Sequence, residues 1–377
     1  MSRSATRACW PSENPEPGAW TARTGATLDR LCSLELTWSP PALAAGLVED
    51  RAQSFSEFLA LLRQDAAAQG VSSRVWDQVM EGLQEPERKV VKEDNTQLQT
   101  RVSSKEYLDR VVDAYRIKRG RQMMAEHEGL LRRVSEKFGV PAEVLVAIWG
   151  VETAYGSFCG TQNVPHALAT LAYSTDPEKE AARRAFFRRE CITSMLMLQR
   201  GEVQPEHLVG SWAGAMGQCQ FMPSNVQKFA VDFDNDGRAD IWRSTGDALA
   251  SIANFLVKHG WKPGLRSAVQ VEGGAPSVQR ALAQRADEIG VRKSPQPNSY
   301  WRETFGLVNS PGEESVGNRL GELGPHEMTY LVAPDGVGAD AFYIASENFR
   351  VLMRYNPSVF YALSISVLAE QLAHQGS

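Results

Sequence analysis

The stretch Val144-Leu-Val-Ala-Ile-Trp-Gly-Val151 places eight apolar residues or glycines in a row, and Glu152 follows at once. A helix that is apolar around its whole circumference must be enclosed by other elements. The chain therefore has to build a body that closes around this segment. A carboxylate at the end of such a helix is drawn towards burial, and desolvation favours its protonated form. That is the state a general acid needs near neutral pH. Periodicity alone leaves a plainer reading open, in which Glu152 reaches water past the helix end, because glutamate is rarely buried unless paired.

The rest of the chain can supply that body. Its 377 residues are 43% hydrophobic, enough for two or three domains with a sizeable core. The net charge of −5 gives no bulk attraction to nucleic acid, and none is expected as a partner. No uninterrupted apolar run reaches the length of a membrane span. The five cysteines, at 9, 32, 159, 191 and 219, fit neither a zinc site nor a redox pair. Cys159, Cys191 and Cys219 read as small core residues, with one disulfide among them left open.

Residues 1–46 are proline-rich and aperiodic, a tail or a degenerate export segment. Helical patterning starts with the capping-box pair Ser54 and Glu57 and stops at Gly70. Val75, Trp76, Val79 and Leu83 outline a second helix, residues 85–103 read as polar and extended, and a long amphipathic stretch runs from Tyr107 to Phe138. Further helices are expected near 178–200, 204–209, 223–230, 245–259 and 357–373. Between 263 and 346, short apolar pieces (267–271, 328–332, 342–344) alternate with Gly, Pro and Asn, which predicts a small β-rich insertion. The predicted organisation is mainly α: 47–262 as helical domain and core, 263–346 inserted, and 347–377 returning to the core.

A second block, Gly210-Ser-Trp-Ala-Gly-Ala-Met-Gly-Gln-Cys-Gln-Phe-Met-Pro223, surrounds Ser211, Gln218 and Gln220 with small residues. Small residues allow close approach of backbone to ligand, and amides and hydroxyls orient polyhydroxylated substrates; tight loop packing would use the same composition. With Gly150-Val-Glu-Thr-Ala-Tyr-Gly156 and Arg354-Tyr-Asn356, this block resembles the membrane-bound lytic murein transglycosylase B family, in the right order and from about residue 50 to 373. The resemblance implies a lysozyme-like α core, an additional helical domain and a small inserted β domain.

It also implies a reaction: cleavage of the β-1,4 bond between N-acetylmuramic acid and N-acetylglucosamine in peptidoglycan, leaving 1,6-anhydro ends. Glu152 would serve as acid and then as base. Ordinary glycoside hydrolysis requires two carboxylates; no acidic residue occurs between Thr153 and Ser174 or between Val209 and Val231. By resemblance Ser211, Gln220, Tyr355 and Asn356 contact the glycan strand, and the pair Arg188 and Arg189 lies at the cleft. Asn356 precedes Pro357 and could equally cap a helix; the arginines could equally form a solvated helix face. A hydrolysing muramidase would need a second carboxylate from elsewhere in the fold. A non-catalytic peptidoglycan-binding protein would have no need to keep Glu152.

Asp232-Phe-Asp-Asn-Asp-Gly-Arg-Ala-Asp240 matches the first nine positions of an EF-hand loop, with Arg243 where the closing glutamate would stand. Asp232, Asp234, Asp236 and the Arg238 carbonyl are the expected donors for a structural calcium ion. Asp247 completes the set by resemblance. The alternative is a simple Asp-Gly turn. The chemistry itself requires no cofactor, and none of the six histidines has metal-ligand spacing. The substrate implies a periplasmic protein, expected to be soluble rather than lipid-anchored because Cys32 lacks a lipobox, and monomeric.

Overall fold

The computed structural model describes residues 54–97, 102–272, 276–309, 323–336 and 341–373. The expected tail at 1–46, with Cys9 and Cys32, lies outside the described residues. Fifteen α-helices are described, in the order α1 (Phe55–Ala68), α2 (Ser73–Met80), α3 (Arg88–Gln97), α4 (Ser104–Val111), α5 (Ala114–Glu126), α6 (Glu128–Phe138), α7 (Ala142–Thr153), α8 (Val164–Ser174), α9 (Ala181–Gln199), α10 (Pro223–Phe229), α11 (Thr245–Lys258), α12 (Pro276–Gln284), α13 (Asn298–Phe305), α14 (Glu347–Tyr355) and α15 (Val359–Ala373). The strands are β1 (Gln162–Asn163), β2 (Val209–Gly210), β3 (Ala268–Glu272), β4 (Gln296–Pro297), β5 (Val308–Asn309), β6 (Met328–Val332) and β7 (Ala341–Ala345). The protein is mainly α, as its patterning predicted.

The apolar segment is α7, and it is the axis of the body. Val144 to Val151 are all buried, because α5, α6, α11 and α15 pack around it. Pro141 stands at its N-cap, where a fixed φ costs nothing. On the other side α8 and α9 pair, and α2 and α3 lie across them. The capping box of Ser54 and Glu57 forms at the start of α1, satisfying helix-end N–H groups.

Residues of the predicted insertion form, among the described residues, an antiparallel sheet in the order β4-β6-β7-β3-β5. Strand alternation divides its side chains between two cores. Tyr330, Val332, Tyr343 and Ala345 join the main core, while Leu331, Phe342 and Ile344 join a smaller one with Trp301 and Phe305 of α13. Three strands fall where the apolar pieces predicted them. The helices α12 and α13 inside this region, and α8 and α14 outside it, were not anticipated.

One expectation is corrected, and two readings left open by the sequence are decided. Residues 88–97 are helical rather than extended: Val90 is fully buried, α3 packs on α8, and Asp94 accepts a hydrogen bond from Arg183 at 2.5 Å. A polar helix of this kind is held by tertiary contacts, which composition does not reveal. Among the described residues Cys159, Cys191 and Cys219 are free thiols, with no disulfide between them. Asn356 is not the cap of the last helix. Its Oδ1 accepts the Ser358 N–H at 3.2 Å, and the Ser358 hydroxyl accepts the Tyr361 N–H at 3.4 Å, which makes Ser358 the capping residue.

Candidate active site

Glu152 occupies the last turn of α7. The helix then leaves its axis through three successive left-handed residues, Ala154 (φ 48°), Tyr155 (φ 62°) and Gly156 (φ 75°). Two of these carry a Cβ, and each such conformation costs on the order of 1–3 kcal/mol unless neighbours over-determine it. Here they do. The Tyr155 ring lies directly over Gly150, where an added Cβ would come within 2.5 Å of the ring, and its hydroxyl donates to the Arg116 carbonyl at 2.6 Å. The sequence pairing of Gly150 with Tyr155 thus has a packing cause.

Glu152 as a whole is half-buried. Burial pushes the carboxyl up from its ordinary 4.5 to about 7, opposed by a hydrogen bond that the Tyr361 hydroxyl donates to Oε1 at 2.7 Å. Among the described residues, the ionisable groups raised by the Glu152 charge include Tyr107, Tyr355, Tyr361 and Cys219, none of them a carboxylate. The Tyr107 hydroxyl is buried and has no hydrogen-bond partner among the described residues. Tyr355 stacks on Tyr361 with ring centroids 6.3 Å apart and donates to the Cys219 carbonyl at 2.6 Å. Tyr361 and Tyr107 were missed by sequence reasoning. Each reads in its own helix as one more apolar contact, and no local spacing distinguishes it.

The glycine-rich block reaches this site through its backbone. Gly160 crosses Gly210 and Ser211 so closely that a Cβ at Gly160 would lie 2.1 Å from the Gly210 carbonyl carbon and 2.5 Å from the Ser211 nitrogen. The Ser211 hydroxyl accepts the Ala215 N–H at 3.1 Å and remains half exposed. Gln220, left-handed at φ 50°, follows Cys219 directly, and its Nε2 donates to the carbonyls of Cys159 at 3.2 Å and Gly217 at 3.0 Å. Asn356 is buried next to Tyr355.

Arg188 departs from its expected place. It is directed into the protein, ion-paired with Asp65 of α1 at side-chain exposures of 4% and 0%, with its guanidinium over the Phe58 ring. The buried face of α9 claims it, because Phe187, Arg188 and Cys191 all point inward there. Arg189, one residue on, is half exposed.

In the acidic loop, carboxylate oxygens of Asp232, Asp234 and Asp247 lie within 4.8 Å of one another. Backbone groups hold them there. Asp232 accepts the Gly237 N–H at 2.9 Å, and Asp247 accepts the N–H groups of Phe233 and Asp240, both at 2.8 Å. Burial foremost, and the Asp234 charge, push the Asp247 carboxyl up. Asp236 lies outside this convergence, its Oδ1 accepting the Arg238 N–H at 2.9 Å. Three preoriented carboxylates suit a hard divalent cation, so the donor set fits calcium.

The fold and site define a mainly α protein in which, among the described residues, the carboxyl of Glu152 at a helix end is hydrogen-bonded by Tyr361 and adds to burial in pushing Tyr107 and Tyr355 up. The transglycosylase SLT domain family matches residues 54–370, and the chain belongs to that family. Membrane-bound lytic murein transglycosylase B of Escherichia coli (strain K12) is 32% identical over 249 residues, covering 66% of this chain and 61% of that protein. The match thus spans less than two thirds of that relative's length. The crystal structure of SltB3 from Pseudomonas aeruginosa in complex with NAG-anhNAM-pentapeptide is similar at a TM-score of 0.72 and 33% identity, covering 85% of this chain and 80% of that one. The Escherichia coli lytic transglycosylase Slt35 in complex with calcium is similar at a TM-score of 0.66 and 26% identity, covering 89% and 98%.

Proposed function

We propose that the chain is a peptidoglycan lytic transglycosylase whose single acid–base residue is Glu152. The observation that carries this reading is the Glu152 carboxyl itself: it ends a buried apolar helix, is pushed up to about 7, and among the described residues the groups raised by its charge are tyrosines and a cysteine. The protonated carboxyl donates to the glycosidic oxygen as the bond to the muramyl C1 breaks, releasing the N-acetylglucosamine hydroxyl. The resulting carboxylate takes the proton from the muramyl C6 hydroxyl as O6 closes on C1. The 1,6-anhydro bond forms, the carboxyl is protonated again, and no water is consumed. Because the substrate supplies the nucleophile, the second carboxylate of ordinary hydrolysis is unnecessary.

Tyr355, Asn356, Ser211 and Gln220 are proposed to contact the strand, and the half-exposed Arg189 is the member of the arginine pair left to do so. Asp232, Asp234, Asp247 and the Arg238 carbonyl would hold calcium, which would neutralise the converging carboxylates and stabilise the loop. Among the described residues no helix is long and apolar enough to cross a membrane. A periplasmic location, where the proposed substrate lies, and a monomeric state are part of this proposal.

Mass spectrometry of muropeptides released from intact sacculi tests the reading. Anhydro ends support it, reducing ends indicate a muramidase, and no cleavage leaves only a binding protein.

A further inference from the structure

We infer that Gln218 is a positioning residue for Glu152, locking the last turn of α7 to the segment that closes the acidic loop. This role rests on the reading of Glu152 as the acid. Gln218 is 5% exposed, yet its amide and backbone make four hydrogen bonds. Two go to the catalytic helix: Oε1 accepts the Trp149 indole N–H at 3.0 Å, and the Gln218 carbonyl accepts the Thr153 hydroxyl at 3.1 Å. The other two go to the segment after Asp240: Nε2 donates to the Trp242 carbonyl at 3.2 Å, and the Gln218 N–H donates to the Ile241 carbonyl at 2.9 Å. An indole offers only a donor and a carbonyl only an acceptor, so only this orientation of the amide satisfies both.

The two helix partners flank Glu152, three residues before it and one after. The Thr153 hydroxyl also accepts the Gly156 N–H at 3.0 Å, and a Cβ on Gly156 would lie 2.6 Å from Gln218 Oε1. The left-handed exit of α7 is therefore built around this amide. On the far side, Asp240 donates its N–H to Asp247, one of the three converging carboxylates. One buried side chain thus joins the turn that aims the acid to the loop that would hold the cation. A misplacement of about 1 Å at a reacting group can cost about a hundredfold in rate.

A buried amide could also serve packing alone, and the proton equilibrium of Glu152 separates the two roles. Among the described residues, the titratable groups that feel the charge of that carboxyl include Tyr361 from α15, Tyr107 from α4, Tyr355 from α14 and Cys219 from the loop. None of them is substituted in the test.

In full-length protein carrying carbon-13 at the glutamate carboxyls, the Glu152 signal is assigned by its loss in Glu152→Gln and titrated in wild type, Gln218→Leu and Trp149→Phe. Leucine removes both side-chain bonds at similar volume, and phenylalanine removes the same indole bond from the other side. Both should lower the Glu152 midpoint by about half a pH unit or more, because a loosened turn admits water. On glycan strands, kcat should fall about tenfold or more with KM changed less than about twofold, the signature of a group aimed at the transition state. The double variant should titrate like Gln218→Leu. An unchanged midpoint, with only the melting temperature lowered, overturns the role. The titration needs no turnover, so a wild type that releases no anhydro ends counts against the proposed reaction while the titration still judges Gln218. If Gln218→Leu does not fold, Trp149→Phe and Gln218→Met decide by the same midpoint.

Discussion

Tyr361, one turn into the last helix, donates its hydroxyl hydrogen to Glu152 Oε1 at 2.7 Å across 209 positions of chain. This bond favours the carboxylate, while burial of the same carboxyl favours the acid; burial is the larger effect. The balance sets a midpoint of about 7, which suits the proposed role of giving and then taking a proton near neutrality.

Removing the bond should tip that balance. Tyr361→Phe takes away the influence that lowers the Glu152 midpoint, so the basic limb of kcat/KM should move to higher pH than in the wild type. A limb that stays put, or moves to lower pH, contradicts the assignment of Glu152 as the titrating acid.

Glu152→Gln keeps the shape and loses the proton, so cleavage should fall at least 10²–10⁴-fold, roughly the contribution of a general acid or base. Stability should change in the opposite sense. A carboxyl whose folded midpoint is about 7, against 4.5 unfolded, binds its proton more tightly when folded. Its ionisation therefore destabilises the wild type progressively as pH rises from about 4.5 to about 7, and the penalty stays above that. Melting curves should show the variant gaining on the wild type across that window and level beyond it.

Gln220→Ala should reduce turnover more than stability. Its side-chain bonds to Cys159 and Gly217 are made at a half-exposed position, where losing each costs about 1 kcal/mol. Thermal denaturation and product release measured on the same preparation compare the two losses. A large fall in melting temperature with unchanged activity per folded molecule would assign Gln220 to packing.

Calcium should raise the melting temperature of the wild type and not that of Asp234→Ala, since Asp234 supplies one of the three converging carboxylates. At a hundredfold excess over Kd the gain is about 2.7 kcal/mol. Magnesium should do less, because it demands a tighter octahedron. Denaturation scans with EDTA, calcium or magnesium check this; equal shifts in both proteins, or none, would leave the loop as a turn.

Asp65→Asn should destabilise, by up to about 3–5 kcal/mol, because it removes the carboxylate that the buried Arg188 guanidinium pairs with. Urea unfolding measures the loss, and kcat of the folded fraction should match wild type. A variant of normal stability would show that this pair does little for the fold.

Much of the architecture is carried by short stretches of sequence. The Ser54–Glu57 cap, the enclosed helix ending at Glu152 and the pieces that became β3, β6 and β7 are all patterns within a few residues. Their periods of 3.6 and 2 express which face must leave water, and that can be read locally. The α3 helix shows the limit. Its polar sequence carries no such period, and Val90 and Asp94 gain a helical role only when α8 and Arg183 are beside them. Arg188 and Arg189 are neighbours in sequence, yet a turn of 100° per residue sends one to Asp65 and leaves the other at the surface. Sequence alone singled out Glu152 and drew it towards burial. Which groups would then set its proton affinity was decided by packing, because Tyr107, Tyr355 and Tyr361 arrive on α4, α14 and α15. A hydrogen bond between side chains so far apart in the chain exists only after those helices have closed around α7.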